Sequence, residues 1–205
     1  MTSHRYSNDV FINCPFDDQY HSIFRAIVFC VFDCGFRPRC ALEVDDSSQV
    51  RIDKILKIIS ESKYGIHDIS RTELDHETGL PRFNMPFELG LFVAAQRFGS
   101  GIQRKKNCLI LDRQPYRYQQ FLSDIAGQDI RSHENEEKKA ITMIRNWLST
   151  SSRRKTIPGG AAIHKRYREF VCRMPEICQQ LQWKEDELTF TDYAELVSRW
   201  LRTGS

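Results

Sequence analysis

The chain has 205 residues, and 30 Lys and Arg against 27 Asp and Glu leave a formal charge of +3. Hydrophobic residues at 40% and charged residues at 28% are globular values, which exclude disorder as the main state. No apolar run approaches the roughly eighteen residues of a membrane span, and MTSHRYSND lacks a signal-peptide core, so a soluble, cytoplasmic protein is expected.

The charge is too small to argue for a nucleic-acid partner. Seven cysteines, without a CxxC pair, form neither a disulfide framework nor a zinc site. Most lie in apolar runs, where a free thiol acts as a small hydrophobe. Cys14 differs, because it sits at a predicted strand end where a reactive thiol is conceivable.

Asp9–Asn13 is a short apolar run closed by Cys14-Pro15, and reads as a first strand. Tyr20 to Cys34 is a helix with a broad apolar face, stopped by Gly35. Arg37 to Glu43 suits a short edge strand, because Pro38 lacks a ladder donor. Ile52, Ile55, Leu56 and Ile59 follow helical spacing. Tyr64–Ile69 is a third strand, ending at Ser70-Arg71. Thr72 to Phe83, with His76-Glu77, is a polar loop without metal-ligand spacing. Met85 to Phe98 is an apolar helix with Pro86 in its first turn. Asn107–Asp112 is the clearest buried strand. Phe121 to Ala126 suits a short helix, Asp129 to His133 a fifth strand, and Glu136 to Leu148 a closing helix.

Thr150 to Gly160 breaks the composition with Arg153-Arg-Lys155 and Pro-Gly-Gly, and reads as a mobile linker or surface loop. Beyond it, Ile163, Tyr167, Phe170 and Met174 share a helical face, and Pro175 is expected to start a second helical piece. A last helix carries Phe190, Tyr193, Val197 and Trp200. Residues 161–205 are too poor in apolar positions to fold alone, so they are expected to dock on the 1–149 domain or on a partner.

Strand-helix alternation predicts an α/β fold: a doubly wound, mainly parallel five-stranded sheet with a C-terminal helical extension. Such sheets bind ligands outside the carboxyl ends of their strands. That rule selects the segments after Asn13, Glu43, Ile69 and Asp112. Next to them, Arg82 to Gly90 places Glu88 near the start of an apolar helix, where a carboxylate has its ionisation perturbed. The same glutamate also suits helix capping, with Asn84 or Met85 as the cap. Leu89-Gly90 and Ala94-Ala95 suggest a face open to close approach. His67, inside a strand, reads as a hydrogen-bonded core histidine.

The stretch Pro81–Leu91, with Gly99 and Lys105–Asp112, resembles bacterial Toll/interleukin-1 receptor-like (TIR-like) predicted nucleotide-binding domains. The shared pattern is Asn-x-x-Phe-Glu-Leu-Gly, a small-residue helix and a basic turn into an apolar strand. Asp9–Asn13 and Asp68–Arg71 fit the same layout, so the resemblance covers roughly Asp9 to His133. The Glu-Leu-Gly arrangement is also similar to that of nucleoside 2-deoxyribosyltransferases, which share a related doubly wound, flavodoxin-like fold.

The resemblance implies cleavage of an N-glycosidic bond, with Glu88 inheriting the catalytic role and NAD or a related nucleotide as substrate rather than permanent cofactor. Phe16, Asp17, Asp18, Asp68, Ser70, Asn84 and Asp112 would line the cleft, and Arg71 and Arg82 would hold a pyrophosphate. No metal is expected. By resemblance the chain is an effector of prokaryotic antiviral defence, acting as a homo-oligomer or with a defence-system partner and without a membrane. Two alternatives stay open: a non-catalytic nucleotide-sensing or self-association module, and base exchange of the deoxyribosyltransferase kind. The loop after the first strand has no glycine-rich phosphate cradle.

Overall fold

Alternation along the first strand decides the layering. In β1 (Asp9–Asn13), Val10 and Ile12 enter one apolar cluster while Phe11 enters another, so the strand is buried on both faces. The computed structural model describes residues 6–43, 46, 48–74 and 79–203. His76-Glu77 therefore lies outside the described residues. The other strands are β2 (Arg37–Arg39), β3 (Tyr64–Asp68), β4 (Asn107–Asp112) and β5 (Arg131–Ser132). All pair in parallel, in the order β2-β1-β3-β4-β5.

The helices are α1 (His21–Asp33), α2 (Arg51–Glu61), α3 (Asn84–Phe98), α4 (Glu137–Ser152), α5 (Gly160–Gln180) and α6 (Phe190–Thr203). Helices α2 and α3 cover the Phe11 face, and α1 and α4 cover the other. This is the doubly wound α/β architecture expected from the alternation. Among the described residues, no helix is long and apolar enough to cross a membrane.

Helix α1 is buried without a break from Ile23 to Val31, Arg25 included. A helix apolar on nearly every side must be covered on every side. The sheet covers one side, and α5 and α6 cover the other. Phe29 stacks against Tyr167 and Phe170, with ring centroids 5.4 and 5.5 Å away. The C-terminal helices thus complete the main core.

Several local expectations are corrected. Strand β2 is only three residues long, and β5 only two. In place of a helix over Phe121 to Ala126, two single 3-10 turns form at Arg117–Gln120 and Ser123–Ile125. Pro175 starts no second piece, because α5 runs through it. Met174 and Cys178, on either side of Pro175, are 1% and 2% exposed in the same core as Phe170. That burial outweighs the roughly 3 kcal/mol a mid-helix proline costs.

The segment after α4 is a loop tied to its neighbours by hydrogen bonds. Arg153 ends the helix in the left-handed region, at φ 58°. Arg154 donates to Gly35 O at 2.7 Å and to Asn8, and lies 4.0 Å over the Phe36 ring. Arg145 binds the carbonyls of Ile157 and Pro158 at 3.0 and 2.6 Å.

Gly65 shows how closely α3 approaches the sheet. A Cβ there would meet His67 Nε2 at 2.6 Å and Phe92 Cζ at 2.9 Å, so only glycine fits.

Phe170 is fully buried beside Phe29, Tyr193 and Trp200. Phe170→Ala is expected to lower stability by about 3–5 kcal/mol in urea unfolding, with one transition for the whole chain. A separate early transition, leaving the sheet's midpoint unmoved, would mark the C-terminal helices as an independent appendage.

Candidate functional site

The order β2-β1-β3 makes the chain leave β1 toward one edge and return on its other side. The β1/β3 border is therefore the switch point, where the loops after two neighbouring strands diverge and leave a crevice. Asp17 shapes the loop after β1, accepting the Tyr20 N–H through Oδ1 at 3.1 Å. Arg71, after β3, reaches across to Asp17 (Nε to Oδ2 3.1 Å, Nη2 to Oδ1 2.9 Å) and to Gln19 Oε1 at 2.6 Å.

Above these pairs lies a cavity of about 480 Å³, lined by Asp17, Asp18, Arg71, Glu73, Arg82 and Arg113 among others. Arg113 pairs with Glu73, but its enclosed Nε has no hydrogen-bond partner. Arg82 is exposed and makes no ion pair with another described residue. The cavity thus sets three guanidinium groups against the carboxylates of Asp17, Asp18 and Glu73, with Arg82 free of ion pairs among the described residues and Arg113 keeping an unused donor.

Asp68, Ser70 and Asp112 were expected in the cleft lining, yet they lie beneath it. Asp68 is fully buried and accepts from Tyr20 Oη at 2.6 Å, from the Ser70 N–H at 2.8 Å, and from His133 Nε2 at 2.9 Å. Ser70 Oγ lies 3.1 Å from the same His133 Nε2. The grouping of Ser, His and Asp invites comparison with a catalytic triad, but its connectivity differs. His133 Nδ1 accepts the Asn135 N–H at 3.0 Å, so the ring proton sits on Nε2, and both Asp68 and Ser70 address that one nitrogen. A triad needs the carboxylate and the hydroxyl on opposite nitrogens. This cluster is a structural lock.

Asp112, also fully buried, takes Arg117 Nε and Nη2 on Oδ1 at 2.9 and 2.7 Å, and its Oδ2 has no partner. Burial pushes its carboxyl above the ordinary range, against the pull of Arg117. Arg117 also donates to Ile69 O and Thr72 Oγ1, which fastens the segments after β3 and β4 together.

Glu88 stands apart from these locks. Helix α3 begins at Asn84 with Phe83 as its N-cap, and no side chain caps it. Glu88 is therefore in the second turn, which removes the capping explanation. The helix start is pinned to β1, since Asn13 Nδ2 donates to Met85 O at 2.9 Å and lies 3.1 Å from His67 Nδ1. One turn further on, Glu88 is only 6% exposed. Among the described residues its carboxyl group has neither a hydrogen bond nor an ion pair. Desolvation raises its pKa to about 7, opposed by the charge of Arg51. Its field reaches Cys14, which places it near the carboxyl end of β1. It does not line the arginine cavity itself.

The remaining candidates divide. Phe16 is half exposed and packs edge-on against Phe24. Asn84 is exposed at the first residue of α3. Gly90 faces open space, with nothing within 4 Å of an added Cβ, so among the described residues no other backbone packs against it. Cys14 is buried, and that burial, then the nearby Asp68, pushes its thiol above its ordinary range, which disfavours the thiolate. His67 is a core residue: burial, then the charge of Lys106, lowers its pKa to about 3. No group of metal-ligating side chains occurs among the described residues.

Sequence reasoning placed Tyr20 and Arg113 only within strand-end segments, without a role, and missed Arg117 and His133. His133 was read as the last residue of the expected strand Asp129 to His133, whereas β5 stops at Ser132 and leaves His133 just beyond its carboxyl end. Compared with known protein families and with curated proteins, the chain matches none.

Because burial disfavours its ionised form, Glu88 keeps its proton to about pH 7 in the folded chain, against an ordinary value of 4.5. Its contribution to stability is thus intact below pH 4.5 and lost as pH rises through 7. Wild type is expected to lose about 3 kcal/mol more than Glu88→Gln between mildly acidic and mildly alkaline pH, by urea unfolding. Parallel curves for the two proteins would show that Glu88 titrates as an ordinary surface glutamate.

Proposed function

We propose that the chain is a TIR-like nucleotide-processing enzyme that cleaves the N-glycosidic bond of NAD or a related nucleotide. The observation that supports this reading best is Glu88: a desolvated carboxyl group without a partner among the described residues, at the carboxyl edge of a doubly wound sheet. Breaking the bond to nicotinamide develops positive charge on the ribose. A fixed carboxylate stabilises that charge or attacks the anomeric carbon as nucleophile. A pKa of about 7 leaves much of Glu88 ionised at neutral pH, and little water competes for it.

In this proposal the arginine cavity holds the pyrophosphate. Arg82 and Arg113 are the guanidinium groups with capacity to spare, while Arg71 is held in place by Asp17 and Gln19. Asp68, Ser70 and Asp112 fix the loops and leave the ligand to others. By the same resemblance the activity belongs to a prokaryotic defence effector that works as a homo-oligomer or with a partner protein.

A second reading, nucleotide sensing without catalysis, is favoured by one observation: Glu88 does not line the arginine cavity. Nicotinamide release from NAD, followed by chromatography, separates the two. Wild type is expected to release nicotinamide, Glu88→Ala to be at least about 100-fold slower, and Arg82→Ala to show a raised KM with kcat largely kept. Equal rates in wild type and Glu88→Ala would overturn the enzymatic reading. Thermal stabilisation by NAD that survives Glu88→Ala, without turnover in wild type, would establish the sensing module. Base exchange would instead require a free nucleobase acceptor and no phosphate on the donor.

A further inference from the structure

Beside the arginine cavity lies a second crevice of about 230 Å³, and Asp18 lines both. Its walls come from the loop after β1, the start of α1 and the start of α6. Four are aromatic: Phe16, Phe24, Phe190 and Tyr193. Phe16 stands edge-on to Phe24 at 5.3 Å between centroids, and Phe24 lies 6.1 Å from Phe190. Thr189 and Asp192 cap α6 reciprocally, with Thr189 N–H to Asp192 Oδ2 at 3.0 Å and Asp192 N–H to Thr189 Oγ1 at 3.2 Å. That capping box fixes where Phe190 and Tyr193 sit.

Arg25 lines the same crevice and is only 9% exposed. Its Nη1 donates to Glu185 Oε1 at 2.9 Å, its Nη2 to Glu185 O at 3.0 Å, and its guanidinium lies 5.2 Å from the Tyr193 ring centroid. The Nε donor is enclosed and has no partner. A buried donor left unpaired is costly, and an acceptor brought by a ligand removes that cost.

We propose that this crevice takes the planar heterocycle of the nucleotide whose phosphates occupy the arginine cavity, packed between its aromatic walls with the Arg25 side chain beside it. The inference rests on the nucleotide reading above. Drug-sized ligands need roughly 300–1,000 Å³, so the crevice admits one ring system and little more. Aromatic walls suit it to a heterocycle, which stacks on such side chains whatever its substituents. The shared Asp18 makes base and phosphate sites contiguous. Helix α6, and through it the C-terminal extension, is then part of the ligand site, since Phe190 and Tyr193 supply two of its walls.

Equilibrium binding of ADP-ribose, which carries a base, and of ribose 5-phosphate, which does not, tests this in the full-length protein. Wild type is expected to bind ADP-ribose at least about tenfold more tightly than ribose 5-phosphate. Phe16→Ala removes a half-exposed wall, and His21→Trp fills the crevice from an exposed rim position. Each is expected to weaken ADP-ribose binding at least about tenfold and to leave ribose 5-phosphate binding unchanged. Equal wild-type affinity for both probes, or ADP-ribose affinity unmoved by both variants, would overturn the base site and leave the nucleotide reading standing. Binding of neither probe by wild type would overturn both.

Discussion

The carboxyl group of Asp68 sits at the end of the central strand β3 with no access to water, so its hydrogen bonds must all come from the protein. They come from three separate stretches of chain: Tyr20 at the start of α1, the Ser70 backbone after β3, and His133 after β5. Removing any donor would leave a buried acceptor short of partners, at a cost of about 1–3 kcal/mol. These three ties set the rim of the cleft. The loop that carries Phe16 and Asp17 and the turn that carries Arg71 have their positions because Tyr20 and Ser70, next to them in sequence, are bound to Asp68. The bidentate Arg71–Asp17 contact then closes the same rim from the solvent side.

Charged groups at the carboxyl ends of the strands fall into two populations with different physics. Asp68 spends its hydrogen bonds on Tyr20, His133 and the Ser70 backbone, and Arg117 spends its own on Asp112, Thr72 and Ile69 O, so both hold loops in place. Arg113 Nε and Arg25 Nε are donors that the protein does not use, and the buried Glu88 carboxyl has no partner among the described residues. Unspent polar capacity in a desolvated place is unfavourable for folding, and these three groups are the common thread of the functional proposals. The C-terminal helices serve both ends of this argument. They cover the apolar side of α1 that the sheet leaves open, and they carry Phe190, Tyr193 and Glu185 to the crevice around Arg25.

Where local pattern and tertiary burial agree, the sequence was legible. The runs Asp9–Asn13 and Asn107–Asp112 are strands with the expected bounds, because both faces of each run are apolar. The strand-end rule also led to segments whose Asp17 and Arg71 line one cavity together with Arg82. It could not say which polar residues turn inward. Asp68 and Ser70 looked like ligand groups because their partners Tyr20 and His133 are 48 and 63 residues away in sequence. Pro175 was misread because proline's local penalty is visible in sequence while the burial of Met174 and Cys178 is not. The anchoring of Arg154 to Gly35 and Phe36 was hidden in the same way, behind a run of basic residues that resembles a solvated loop.

The account depends most on the desolvated state of Glu88, which a site-resolved carbon NMR titration of its side-chain carboxyl measures directly. The expected midpoint lies near pH 7, well above the ordinary 4.5, and it should move when ADP-ribose is added. A midpoint near 4.5, unmoved by ADP-ribose, would show a solvated carboxylate remote from any nucleotide and would contradict the account.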